Sequence, residues 1–146
     1  MKKLGILLYV LGTISFLLGL RTFLREYSYL KASEVVAAEV YSVETEPVKS
    51  TVTRVNYRLT YPRENKIDTV FFSTPINHTD ADPLPGIEQL KVEKKYVRYV
   101  PTHKHQDTVY FDHVYANDTG EYEGTFGLSS FVRMAVLLFI GYWMRK

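Results

Sequence analysis

The sequence predicts an all-β domain, a small antiparallel barrel or sandwich, flanked by two transmembrane α-helices. Three observations lead there. Apolar runs stand near both ends of the 146 residues. Basic residues collect at those runs, while every acidic residue lies between Glu26 and Glu123. Between the runs, apolar residues recur with the period of two that a half-buried strand requires.

The first run, Leu4 to Leu20, holds 17 residues and no charge. That is the lower edge of a spanning helix, extended by Thr22–Phe23–Leu24 if Arg21 reaches along its stem to the interface. Gly5, Gly12 and Gly19 recur every seven residues, a face that allows close helix contact. Glycine is also simply common in membrane helices. Met1–Lys2–Lys3 before the run would suit a secretory signal, but no small-residue cleavage site follows. A retained anchor is the expectation, with residues 1–31 as anchor and juxtamembrane segment.

Residues 32–125 form the expected β domain. Val36, Ala38 and Val40 alternate with Ala37, Glu39 and Tyr41 as a first strand. Ser50 to Tyr61 is the clearest strand: Val55, Tyr57, Leu59 and Tyr61 should face the core, and Arg54, Arg58 and Thr60 should face outward. Pro62 should end it, and Arg63–Glu64–Asn65–Lys66 reads as a hairpin turn to a return strand, Ile67 to Ser73. Thr74 to Gly86 holds three of the six prolines and reads as irregular. Val92 to Val100 and Thr108 to Val114 are the expected fourth and fifth strands, with Thr102 to Gln106 as a loop.

Residues 126–146 are the expected second span. Phe126 to Met144 has 19 residues and one charge, Arg133. Arg133 lies seven residues from Phe126, roughly 10 Å along a helix, within reach of the nearer interface. The alternative is an interfacial helix, or one packed on the domain. Tyr142–Trp143 beside Arg145–Lys146 forms an aromatic and basic flank. Two crossings would place both termini in the cytoplasm and the β domain outside it, in an inner or plasma membrane. The positive-inside rule favours that orientation, although Arg21, Arg25 and Lys31 flank the opposite side of the first run.

Charge also excludes a class. Glu26 through Glu123 contains 16 acidic and 11 basic residues, so the middle is net negative. A nucleic-acid partner would require the reverse. Absence of cysteine excludes disulfides and Cys-ligated metals. His103, His105 and His113, with Asp107 and Asp112, are conceivable surface metal ligands, but a polar hairpin turn over Thr102 to Asp107 is the better account. Asp80, Asp82 and Glu88 lack the spacing of a calcium loop. Ser129–Ser130 has no nucleophile setting. Asn77–His78–Thr79 and Asn117–Asp118–Thr119 match the glycosylation acceptor pattern. No catalytic, cofactor-binding or metal residue is assigned, and no cofactor is expected.

Ala37–Ala38–Glu39–Val40, the alternating tyrosines of Asn56 to Tyr61, Val97–Arg98–Tyr99–Val100–Pro101, and Val109 to Phe111 together resemble the bacterial membrane proteins grouped as domain of unknown function 3592. The resemblance covers roughly residues 35–111. It departs at two places where that family usually carries glycine: the turn after the central strand, which here has Glu64–Asn65, and the position just before the V-x-Y-x-P strand, which here has Glu93–Lys94. It implies an architecture and no activity. The expected role is therefore a membrane-anchored structural or protein-interaction module of the cell envelope, with the bilayer and a protein partner or a second copy as partners. A small-ligand sensor or accessory subunit, and a membrane-bound enzyme, are the alternatives.

Overall fold

The computed structural model describes residues 2–144. They form two compact units. Among the described residues a helical unit comprises residues 2–32, Gln106–Tyr110 and residues 123–144, and a β unit comprises Ser33–His105 and Phe111–Tyr122. Met1 and the basic pair Arg145–Lys146 lie outside the described residues.

In the helical unit, α1 runs Lys2–Ala32 and α3 runs Leu128–Trp143. They pair through the glycines. A Cβ on Gly12 would lie 3.0 Å from Leu138, and one on Gly19 would lie 3.1 Å from Ser130. A Cβ on Gly141 would lie 3.4 Å from the Gly5 carbonyl. The heptad glycine stripe is thus the seat of α3. Away from that seam the helices expose apolar side chains, including Ile6, Leu17 and Leu24 on α1 and Phe139 and Trp143 on α3.

Among the described residues only α1 is long and apolar enough to cross a membrane. The 16 residues of α3 span about 24 Å at 1.5 Å per residue, short of the ~30 Å hydrocarbon core. The helix does not begin at Phe126 because Phe126 (φ 47) and Gly127 (φ 74) are both left-handed, so neither can sit in a right-handed turn. Two flanking spans are therefore overturned. So is the placement of both termini in the cytoplasm with the β domain outside, which needed a second crossing.

The β unit is an antiparallel half-barrel of five strands in the order β3-β2-β1-β4-β5, rather than a closed barrel or sandwich. Its strands are β1 (Glu34–Lys49), β2 (Val52–Arg63), β3 (Lys66–Asn77), β4 (Lys95–Tyr99) and β5 (Tyr115–Asn117). The short helix α2 (Ile87–Lys91) joins β3 to β4. β1 serves both halves: Glu34 to Ala38 pair with β4, and Glu39 to Lys49 pair with β2. A register shift between Val40 and Ser42 bulges Tyr41 outward, which bends the strand.

Prolines did not stop the strands where the sequence suggested. Pro62 lies past Thr60, the last β2 residue paired with β1, and Pro75 lies on the edge strand β3. In both places the missing N–H removes no ladder bond. Inward-facing residues follow the period of two. Val55, Tyr57, Leu59 and Tyr61 are buried beside Val97 and Tyr99, while Arg54 and Arg58 are exposed. The expected strand Thr108 to Val114 is irregular, and β5 begins only at Tyr115. Thr108 and Tyr110 belong instead to the helical unit. There the Ser28 hydroxyl donates to Thr108 Oγ1 at 3.2 Å, and the Arg25 guanidinium lies 5.6 Å from the Tyr110 ring centroid.

The glycine seam gives a graded expectation. A Cβ on Gly127 would lie 2.5 Å from the Gly19 carbonyl at a left-handed φ, whereas a Cβ on Gly86 meets nothing within 4 Å. Gly127→Ala should destabilise the helical unit by about 1–3 kcal/mol, and Gly86→Ala should be near neutral. Limited proteolysis around residues 123–128 reads the difference.

Candidate functional site

Three arrangements of polar side chains stand out in the β unit. The first lies inside it. Period two in β4 directs Lys95, Val97 and Tyr99 inward, so a lysine occupies a core position with only 4% of its side chain exposed. Its ammonium donates to Glu93 Oε2 at 2.6 Å and to Asp118 Oδ1, and sits 4.4 Å from the Tyr57 ring centroid. The Tyr57 hydroxyl donates to the same Glu93 oxygen at 2.9 Å. Burial would lower the Lys95 pKa, but hydrogen bonds from Asp118 and Glu93 outweigh it, and the net shift is upward. Tyr57 is pushed up to about 12, first by burial and then by its bond to Glu93. The lysine is held protonated and saturated with partners. A general base needs a neutral amine, and a nucleophile needs an approach path. This cluster supplies neither, and its chemistry is that of a structural tie between β4, β2 and the segment after β5.

The second arrangement is the β2–β3 hairpin tip. Asp68 Oδ2 accepts from Tyr61 at 3.3 Å and from Arg63 at 3.2 Å. The Thr69 backbone N–H, first, and then Arg63 hold the Asp68 carboxyl below its usual range. Burial, and then Asp68, raises the Tyr61 pKa. Glu64 takes the left-handed φ of 54. Its carboxylate accepts the Thr102 N–H at 2.6 Å and the Thr102 hydroxyl at 3.0 Å. Those two bonds hold the Glu64 pKa down and hold the strained turn in place. An open cleft of about 490 Å³ lies between Arg63, Asp68 and Thr102.

The third arrangement is the outer face of β1–β2–β3. Arg58 lies between two exposed rings, 5.1 Å from the Tyr41 centroid and 5.8 Å from that of Phe71. Tyr41 is 66% exposed and Phe71 is 76% exposed.

The residues singled out by sequence fall elsewhere. Among the described residues no group of three or more His, Asp or Glu side chains could hold a metal ion. The His105 ring meets the Val100 carbonyl at 3.2 Å and packs on Phe111. Thr79 and Asp82 close their loop on each other, and Glu88 bridges to Lys91 at 3.3 Å. Ser130 packs against Gly19. Asn117 is buried and spends its amide on the Glu121 carbonyl and the Gly120 N–H, whereas Asn77 ends β3 exposed. Lys95 was legible only as one lysine of Lys94–Lys95. Its signal is Glu93 two residues away, on the same face of an extended chain. Tyr41 and Phe71 are rings at positions that alternation assigns to the polar face, and that mismatch was their signal.

Comparison with protein-family models, with curated proteins and with solved structures finds no match. The described residues form a β-sheet domain together with one helix long and apolar enough to cross a membrane.

The internal tie has a signed pH dependence. Tyr57, Tyr61 and Lys95 all bind their protons more tightly when folded. A folded pKa raised above the unfolded value stabilises below the unfolded pKa and loses that contribution as pH rises through the folded one. Stability should therefore fall between pH 10 and about 12, and Tyr57→Phe should fall less steeply over that window. Thermal unfolding at stepped alkaline pH measures both slopes.

Proposed function

We propose that this chain is a membrane-anchored structural or interaction module of the cell envelope, in which α1 is the anchor and the β unit is presented to a protein partner. The observation that carries the reading is α1 itself. Its length and composition suit a bilayer, and it leaves apolar side chains such as Ile6, Leu17 and Leu24 more than half exposed. In water such a surface is unfavourable at roughly 25 cal/mol per Å², and a lipid environment removes that cost. The β unit supports the second half. Its buried polar groups are tied to one another, while Tyr41, Phe71 and Ile67 stand outward, the kind of exposed aromatic and aliphatic surface that recognition uses.

The likeness to the proteins of domain of unknown function 3592 belongs to the same proposal. It rests on Val97–Arg98–Tyr99–Val100–Pro101 and on the alternating tyrosines of β2, which place Tyr57, Tyr61, Val97 and Tyr99 in one core.

Alkaline carbonate extraction of cell membranes tests the anchor. The full chain should stay with the pellet, and a variant with Leu7, Leu11, Ile14 and Leu18 changed to Ser should be released. Recovery of the unaltered chain in the carbonate supernatant contradicts the anchor, and a chain that crosslinks to no protein in intact membranes contradicts the interaction role.

A further inference from the structure

The strand order β3-β2-β1-β4-β5 has further content. The pairings are all antiparallel, so β3 and β5 run parallel across the open seam, and α2 bridges β3 to β4. This is the connectivity of the OB barrel, a five-stranded, partly open Greek key whose β2–β3 face takes up oligonucleotides and oligosaccharides. Fold alone assigns no ligand, so the surface has to make the case.

The register lays the outer face out in rows. Thr60 stands between Glu39 and Thr69, Arg58 between Ser42 and Phe71, Asn56 between Glu44 and Ser73, and Arg54 between Glu46 and Pro75. The second row is the ring–guanidinium–ring stack, with Tyr41 brought in by the bulge. The third row is polar and ordered, since the Ser73 hydroxyl donates to Asn56 Oδ1. Beside Glu39 and Thr60 of the first row lies a cleft of about 380 Å³ that Ala37, Pro62 and Ile67 also line. The face is thus a shallow strip with two exposed rings, a row of hydroxyl and amide groups, and a concave end.

We propose that this strip binds an oligosaccharide. A pyranose ring has a C–H face that stacks on an aromatic ring and an equator of hydroxyls that needs amide, hydroxyl and guanidinium partners. The strip offers both along one line. Charge separates this ligand from the other that OB barrels take. The β unit holds 13 acidic and 10 basic residues, a net of −3. Glu39, Glu44 and Glu46 border the face, and Arg54 is already paired to Glu46 at 3.7 Å. A polyanion would meet that border with repulsion, whereas an uncharged sugar chain would not. The inference rests on the reading of the β unit as a recognition module, and it assigns the Tyr41–Phe71 strip to a sugar chain rather than to the protein partner.

The test uses the full chain in a detergent without a sugar headgroup, titrated separately with maltohexaose and with a β-1,4-linked N-acetylglucosamine hexamer. Saturation-transfer NMR reports contact, and calorimetry reports affinity. One of the two oligomers should bind, with affinity at least about tenfold lower in Phe71→Ala and Tyr41→Ala. Both side chains are mostly exposed, so thermal unfolding should be unchanged in both variants. Failure of both oligomers to bind overturns the proposal. So does unaltered binding by both variants, or binding of a single-stranded oligonucleotide in their place. Protein crosslinking in membranes reads the interaction role separately, so a chain that finds a protein partner but no sugar loses this inference alone.

Discussion

The β unit depends on one strand. β1 pairs with β4 through Glu34 to Ala38 and with β2 through Glu39 to Lys49, and among the described residues no other strand forms ladder hydrogen bonds to both halves of the sheet. Sixteen residues of extended chain supply length for two partners in succession, and the bulge at Tyr41 turns the strand as it passes from one to the other. The curl that results brings the inward faces of β2 and β4 together, where Tyr57, Leu59 and Tyr61 meet Val97 and Tyr99. It also sends Tyr41 outward to Arg58. Interior and outer face are therefore consequences of the same bend.

A half-barrel of this size cannot fill its interior with aliphatic side chains alone, and the interior is finished with groups that have polar ends. Tyr57, Tyr61 and Lys95 each bury an apolar body and deliver a polar tip to a carboxylate nearer the rim, at Glu93, Asp68 and Asp118. Each pairing removes the penalty of an unsatisfied buried group. The same pairings consume the chemistry. Tyr57, Tyr61 and Lys95 are bonded to these carboxylates, and exposed aromatic side chains stand on the outside of β1–β3.

Period two made the β2–β3 hairpin legible in the sequence, because a strand with one buried face has few alternatives. The inward set Val55, Tyr57, Leu59 and Tyr61 was read directly. What the sequence obscured has identifiable causes. Pro62 and Pro75 read as terminators because a proline removes a donor, and the donor is dispensable only where no neighbouring strand needs it, which topology decides. α2, at five residues, is too short for its periodicity to register. Thr108 to Val114 has strand-like composition, yet Thr108 and Tyr110 are engaged by Ser28 and Arg25 on α1. The second apolar run was long enough by composition. Two consecutive left-handed residues, Phe126 and Gly127, shorten the helix, and the Phe126 N–H is taken by the Glu26 carboxylate instead of a helical partner. The glycine stripe was visible, but which helix it seats was not. No site residue was legible in advance, because the outer-face rings announce themselves only once register shows which neighbours they share.

By pairing with both, β1 makes the two halves of the sheet a single cooperative unit. Native-state amide hydrogen exchange across a denaturant series tests it directly. Protected amides in Glu34 to Ala38 and in β4 should converge with those of β2 and β3 on one opening free energy, the signature of a shared global transition. If the β1–β4–β5 part opens at lower denaturant while the β2–β3 hairpin and Glu39 to Lys49 keep their protection, β1 is a linker between two independent pieces, and the account is wrong.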